Sequence, residues 1–235
     1  MNKEVPMFYI VVISVIFYLF GMMTARYNVF PYPQIVSLKN SLTTKKNPKN
    51  PKESFSNDNA IKLYKMYVTK EANIVMFGDS LIDNVDWSEL VGVDIINRGV
   101  GYDTTEGYLK RMDSVYNLKP KKVFLNGGTN DFLAGYSVDE VFANYKKIIS
   151  ILQEHNIKPY MLSVVFTRME KINEKIIKVN KLLEQYCKDN NIVYIDLNKK
   201  LSSNNMLMKE HTTDGAHLTA KGYGIWRDII KEYIK

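Results

Sequence analysis

The sequence predicts an α/β domain of three layers, a parallel five-stranded sheet with helices on both sides. Three observations predict it. Five short apolar runs recur from Asn73 onward. Longer segments with helical spacing separate them. Within the runs apolar residues are consecutive rather than alternate, as in strands buried on both faces. A chain of 235 residues, 46% of them hydrophobic, suits one such domain with an appendage better than two full domains.

The appendage comes first. No charge occurs between Glu4 and Arg26. At about 1.5 Å per helical residue this window reaches roughly 30 Å, the thickness of a bilayer's hydrocarbon core. Phe8, Tyr9, Tyr27 and Phe30 stand at its ends, where aromatic residues suit membrane interfaces. Residues 1–26 are therefore expected to form a transmembrane helix that serves as an anchor. A cleaved signal peptide is the rival reading. It is weakened because Thr24-Ala25-Arg26 makes a poor small-x-small cleavage site. Lys3 and the amino terminus oppose Arg26 and Lys39 almost evenly, so charge leaves the orientation open.

Residues 27–59 read as a linker, with Pro31, Pro33, Pro48 and Pro51 among Asn, Ser and Lys. The domain is expected over 60–235. Ile61, Leu63, Tyr64, Tyr67 and Val68 suggest a short amphipathic helix at its start. The strand candidates are Asn73–Phe77, Val93–Ile96, Lys122–Leu125, Pro159–Val165 and Ile192–Ile195. Helical stretches are expected near Thr105–Tyr116, Val138–His155, Ile172–Asn190 and Thr219–Tyr233. Crossover helices between buried strands imply the doubly wound, flavodoxin-like arrangement, whose working site lies at the carboxyl ends of the strands.

The net charge of +7 is concentrated in the linker. Lys39, Lys45, Lys46, Lys49 and Lys52 lie there with no acidic residue among them, which leaves a net charge of only +1 from Glu53 onward. A nucleic-acid-binding face is not indicated. The lysines suit a solvated linker or contact with anionic lipid headgroups. The single cysteine, Cys187, excludes an intrachain disulfide and falls in a helical stretch, where buried packing is expected.

Chemistry-bearing residues gather where candidate strands end. Gly78-Asp79-Ser80-Leu81 follows the first strand, with Gly78 suited to a tight turn and Ser80 to a helix amino terminus. The second strand leads into Asn97-Arg98-Gly99-Val100-Gly101-Tyr102-Asp103-Thr104-Thr105, a loop able to aim a backbone N–H at an oxyanion. The third leads into Gly127-Gly128-Thr129-Asn130-Asp131, where Asn130 offers a side-chain donor. Near the end, Asp214-Gly215-Ala216-His217 lets one short loop present a carboxylate and an imidazole together. Each segment also has a plain reading as a turn or helix cap. His155 reads as structural, and His211 lacks a comparable partner pattern. No His-Glu-x-x-His, cysteine pair or Lys-Ser/Thr phosphate-loop ending is present, so neither a metal nor a cofactor is expected.

Together, in this order, the four segments resemble the SGNH (GDSL-type) hydrolase family over roughly Ile74 to Tyr233. The resemblance implies a catalytic triad of Ser80, Asp214 and His217. It implies an oxyanion hole from the Ser80 amide, the Gly101–Tyr102 segment and the Asn130 side chain. One position departs from the family pattern: Tyr102 stands directly before Asp103-Thr104, where many members have glycine. The α/β-hydrolases share the order Ser, Asp, His but use Gly-x-Ser-x-Gly, and Ile82 replaces the second glycine here. The resemblance implies a serine esterase acting on a small ester or an acylated glycan or lipid. An O-acyltransferase and an inactive glycan- or lipid-binding module remain as alternatives. Anchored members often act outside the cytoplasm, which favours an extracytoplasmic domain.

Overall fold

The structure is a computed structural model that describes Met7–Tyr27 and Asp58–Ile234. The chain divides into two units, with α1 (Met7–Tyr27) in the first and every other element in the second. The expected linker lies outside the described residues except for Tyr27, Asp58 and Asn59. Met7–Tyr27 is helical as expected, and Phe17 and Tyr18 within it are exposed. The expected transmembrane helix is not found, however. Among the described residues, no helix is long and apolar enough to cross a membrane.

The second unit opens with α2 (Asp58–Met66), then β1 (Ile74–Gly78), α3 (Ser80–Asp83), α4 (Trp87–Val91) and β2 (Ile96–Gly99). There follow α5 (Thr105–Lys110), α6 (Asp113–Tyr116), β3 (Lys122–Asn126), α7 (Thr129–Leu133), α8 (Val138–Glu154) and β4 (Lys158–Leu162). The chain continues through α9 (Glu170–Asp189), β5 (Val193–Ile195), α10 (Asn198–Leu201), a short hairpin of β6 (Ser202–Ser203) and β7 (Met206–Leu207), and α11 (Ala220–Ile234). The five main strands are all parallel and ordered β2-β1-β3-β4-β5, the expected doubly wound order.

Alternate residues of each strand feed the two faces of the sheet. Val75, Phe77, Val123, Leu125 and Met161 join Tyr145, Ile148 and Leu183 of α8 and α9 in one core. Ile74, Met76, Phe124, Tyr160 and Leu162 join Trp87 and Trp226 of α4 and α11 in the other. Every residue of β1 is buried, which explains its unbroken apolar run. Ser137 and Glu140 form a reciprocal capping box at the start of α8, satisfying two backbone donors that would otherwise lack partners.

Two expectations are corrected. The second strand lies at Ile96–Gly99 rather than Val93–Ile96. It is an edge strand, so it tolerates polar residues that periodicity reads as loop. Asn97 Nδ2 donates to the carbonyls of Ile82 (2.8 Å) and Val85 (3.0 Å), which binds this edge to α3. The helix expected over Thr105–Tyr116 is two short helices, α5 and α6. The amphipathic segment at the domain's start docks through Tyr64, whose hydroxyl donates to Gly99 O at 2.6 Å. Arg98 lies over the rings of Tyr64 and Tyr67, at 4.6 and 5.4 Å.

Candidate active site

Ser80 begins α3 where the chain leaves β1. The preceding Asp79 caps this helix, accepting from Leu81 N at 3.0 Å. With only four residues, α3 supplies little macrodipole. The local benefit comes from its first N–H groups, which have no intrahelical acceptor. Gly78 is required for close approach rather than for a turn of unusual backbone. A Cβ there would meet Asn126 O at 2.2 Å. Gly99 has the same role across the neighbouring strand, where a Cβ would fall 2.2 Å from Asp83 N. These two glycines let the ends of β1, β2 and β3 and the last residues of α3 pack at backbone distance.

The last loop is closed by its own hydrogen bonds. Thr213 N and Thr212 Oγ1 donate to His217 O at 3.0 and 2.8 Å. Gly215 N donates to Thr212 Oγ1 at 2.9 Å. The loop after β4 holds it from outside, through Arg168 N to Gly215 O at 2.7 Å. That outer loop is in turn fixed by three asparagines. Asn173 accepts from Thr167 N, Asn180 from Val164 N and Asn198 from Phe166 N, at 2.8–2.9 Å.

This support brings Ser80 and His217 together. Ser80 Oγ is 3.0 Å from His217 Nε2. His217 Nδ1 is 2.6 Å from Asp214 Oδ2, and Asp214 Oδ1 accepts from the amides of Ala216 and His217 at 2.9 and 2.8 Å. The His217 side-chain bond, with the backbone donors behind it, pulls the Asp214 carboxyl down to a pKa of about 2. Asp214 is thus an anion at every pH where the imidazole could act. The arrangement can take a proton from the serine hydroxyl and stabilise the resulting imidazolium. It sits on open surface, with the side chains of His217 and Asp214 36% and 55% exposed. A concavity of about 220 Å³ elsewhere is lined by Tyr64, Tyr67 and Arg98 and does not include Ser80, Asp214 or His217.

The three expected oxyanion-hole segments differ in how they are held. Asn130 lies in the first turn of α7, and its Nδ2 donates to Asp103 O at 3.0 Å. An amide nitrogen carries two hydrogens, so a second N–H remains for a substrate oxygen. Gly101 and Tyr102 occupy the middle of a turn closed by Asp103 N to Val100 O at 3.2 Å. Tyr102 adopts a left-handed φ of 63°, the slot glycine fills at least cost in a type II turn. A bulky residue there is strained by about 1–2 kcal/mol.

Sequence reasoning missed the group beneath this turn. Arg111 and Asp103 form an ion pair at 2.6 Å with both side chains fully buried. Arg111 also donates to Arg98 O (2.8 Å) and Gly78 O (2.7 Å), and its guanidinium lies over the Phe77 ring at 4.4 Å. One cation thus joins the ends of β1 and β2 to the Gly101–Tyr102 turn. The available signal was its place on an apolar stripe, three residues after Tyr108 and four before Val115.

Two more carboxyls lie under the site. Burial pushes Asp79 and Asp131 up to pKa values of about 7. Asp131 accepts from Thr105 N and from Thr105 Oγ1, tying α7 to α5. The remaining candidates are structural. His211 is buried against Leu201 O, His155 stacks on Tyr116, and Cys187 is buried with its thiol pushed up to about 12 by desolvation.

A doubly wound parallel sheet with serine, histidine and aspartate meeting at its carboxyl edge is the layout of the SGNH hydrolases. The chain belongs to the GDSL-like Lipase/Acylhydrolase family, whose model matches residues 76–225. A GDSL-like lipase from Bacteroides thetaiotaomicron is similar at 26% identity, over 75% of this chain and 96% of that one, with a TM-score of 0.67. A Streptococcus pneumoniae structure matches at 26% identity, over 86% and 99% of the two chains, with a TM-score of 0.68. An N-acylneuraminate cytidylyltransferase from Streptococcus agalactiae is 29% identical over 158 residues. That match takes in 66% of this chain, which spans only 37% of the relative's length.

Proposed function

We propose that this protein is a serine esterase that removes acyl groups from O-acylated glycans. The observation that carries the reading is the continuous hydrogen-bonded path from Ser80 Oγ through His217 to Asp214. Ser80 Oγ attacks the ester carbonyl while His217 Nε2 takes its proton. Asp214 holds the ring and stabilises its positive charge. The developing oxyanion is met by the Ser80 amide, the Gly101–Tyr102 turn and the free N–H of Asn130. His217 returns the proton to the departing alcohol, leaving an acyl-serine. Water, activated by the same imidazole, then attacks the acyl carbonyl and regenerates Ser80.

Hydrolysis is preferred to transfer onto a sugar hydroxyl because the triad is open to solvent. A transferase on this machinery must keep water from the acyl-enzyme. The complete triad also speaks against an inactive binding module. Substrates suited to an open site are esters that project from a larger molecule. The streptococcal relatives' name suggests including O-acetylated N-acylneuraminates in the substrate panel, whereas nucleotide transfer has no counterpart among the residues described above.

The test is Ser80→Ala assayed on acetylated sugars. Turnover should fall by about 10⁴-fold or more with the fold intact, and a fluorophosphonate should label wild type but not the variant. Retained turnover would remove Ser80 from the mechanism.

For α1 we propose attachment to a lipid surface, with the domain extracytoplasmic. The support is the run of exposed apolar side chains that includes Ile13, Val15, Ile16, Phe17 and Phe20. Full-length protein should float with phospholipid vesicles, and a chain lacking residues 1–26 should not. Equal flotation of the two would refute attachment through this helix. Protease accessibility of the domain in intact cells would report its side of the membrane.

A further inference from the structure

We infer that Tyr102 is a specificity-determining residue, its ring a platform on which the sugar of an O-acylated glycan stacks while the ester is presented to Ser80. The inference deepens the esterase reading and rests on it. Two features of Tyr102 are unfavourable for the fold and are not offset locally. Its backbone has a φ of 63°, a conformation bulky side chains rarely adopt. Its side chain is also an aromatic 72% exposed to water, so core packing does not compensate for the strained backbone. A strained residue persists where its surroundings hold it in place, and such residues cluster at ligand sites.

The mount is rigid on three sides. Val100 N donates to Gly78 O at 3.1 Å, on the strand that delivers Ser80. Asn130 Nδ2 donates to Asp103 O at 3.0 Å, and Arg111 Nε to Asp103 Oδ2 at 2.6 Å. The ring is therefore carried on the turn that lies between the Ser80 loop and Asn130. Its chemistry suits a carbohydrate. The ring face is apolar and takes the C–H face of a pyranose, while the phenol hydroxyl can donate to or accept from a sugar hydroxyl. A long acyl chain would require an apolar trough. What lies against the turn is instead the exposed carboxylate of Asp83, whose Oδ2 is 3.6 Å from where a Cβ on Gly101 would sit.

The experiment compares wild type with Tyr102→Gly, Tyr102→Asn and Tyr102→Phe on two acetyl esters. One is methyl 6-O-acetyl-glucopyranoside, which carries a sugar ring. The other is ethyl acetate, which carries none. Gly and Asn both tolerate a left-handed φ, so the turn can be kept while the ring is lost. With either, kcat/KM on the sugar ester should fall about tenfold more than on ethyl acetate, chiefly through KM. Tyr102→Phe should keep the wild-type ratio of the two substrates to within about threefold. Equal losses on both esters in the ring-less variants would overturn the platform and leave the esterase reading standing. A wild type inactive on both esters would overturn the two together.

Discussion

The guanidinium of Arg111 and the carboxylate of Asp103 meet at 2.6 Å with no exposure of either side chain, directly below the turn that holds Tyr102. Desolvating both charges is expensive, and the pair survives because the other two guanidinium nitrogens of Arg111 each donate to a strand-end carbonyl, Arg98 O and Gly78 O. The pair is best understood as a fastening between the Gly101–Tyr102 turn and the strand that leads into Ser80.

Asp103→Asn would leave the Arg111 cation buried without its counter-charge. It should destabilise the domain by about 3–5 kcal/mol. Combining Asp103→Leu with Arg111→Met should cost less than the sum of the single changes, by about 0.5–3 kcal/mol. Urea denaturation of wild type, Asp103→Asn, the two single variants of the cycle and the double variant measures both quantities, and additive losses would show that the two side chains act independently.

Asn130→Ala removes a side-chain donor and should lower kcat by about 10²–10³-fold, with a much smaller effect on KM. An interaction made mainly in the transition state leaves that pattern. A rise in KM at constant kcat would instead place Asn130 in ground-state binding.

Stability should vary with pH in two opposite limbs. Asp79 and Asp131 rise from 3.8 to about 7 on folding, because burial disfavours their charged forms. Between those values the folded state holds more protons than the unfolded one. Their contribution is complete below about pH 4 and is lost as pH rises through about 7. Asp214 behaves oppositely, since it is lowered to about 2 by His217 and two backbone donors. Its contribution, modest because the group is exposed, is present above about pH 4 and lost as pH falls through about 2. Urea midpoints should therefore rise on going from about pH 7.5 to about pH 4.5. Asp131→Asn should flatten that limb, and an unchanged slope in the variant would count against a buried, protonated Asp131.

Gly99→Ala sets a Cβ against Asp83 N at 2.2 Å. The backbone of α3 would have to move, at about 1–3 kcal/mol or more. Because Ser80 begins that helix, activity should fall alongside the thermal midpoint. A variant of wild-type stability would mean that α3 can shift freely.

The doubly wound sheet was readable in the sequence because β1, β3 and β4 are buried on both faces, and burial on both faces writes itself as consecutive apolar residues. The site candidates Ser80, Asn130, Asp214 and His217 were readable because the segments that carry them, each weak alone, together resemble in order those of a hydrolase family. The limits of β2 were not readable, because an edge strand can carry Asn97 and Arg98 without disrupting a core. Nor was Arg111, whose counter-charge and two carbonyl acceptors come from three separate parts of the chain. Local order thus determined which residues could react, since backbone period and loop chemistry are properties of neighbours in sequence. Only tertiary structure decided that Ser80 and His217, 137 residues apart, come within hydrogen-bonding reach, because that distance is set by packing across the sheet and by the asparagines and Arg168 that hold the loops at its edge.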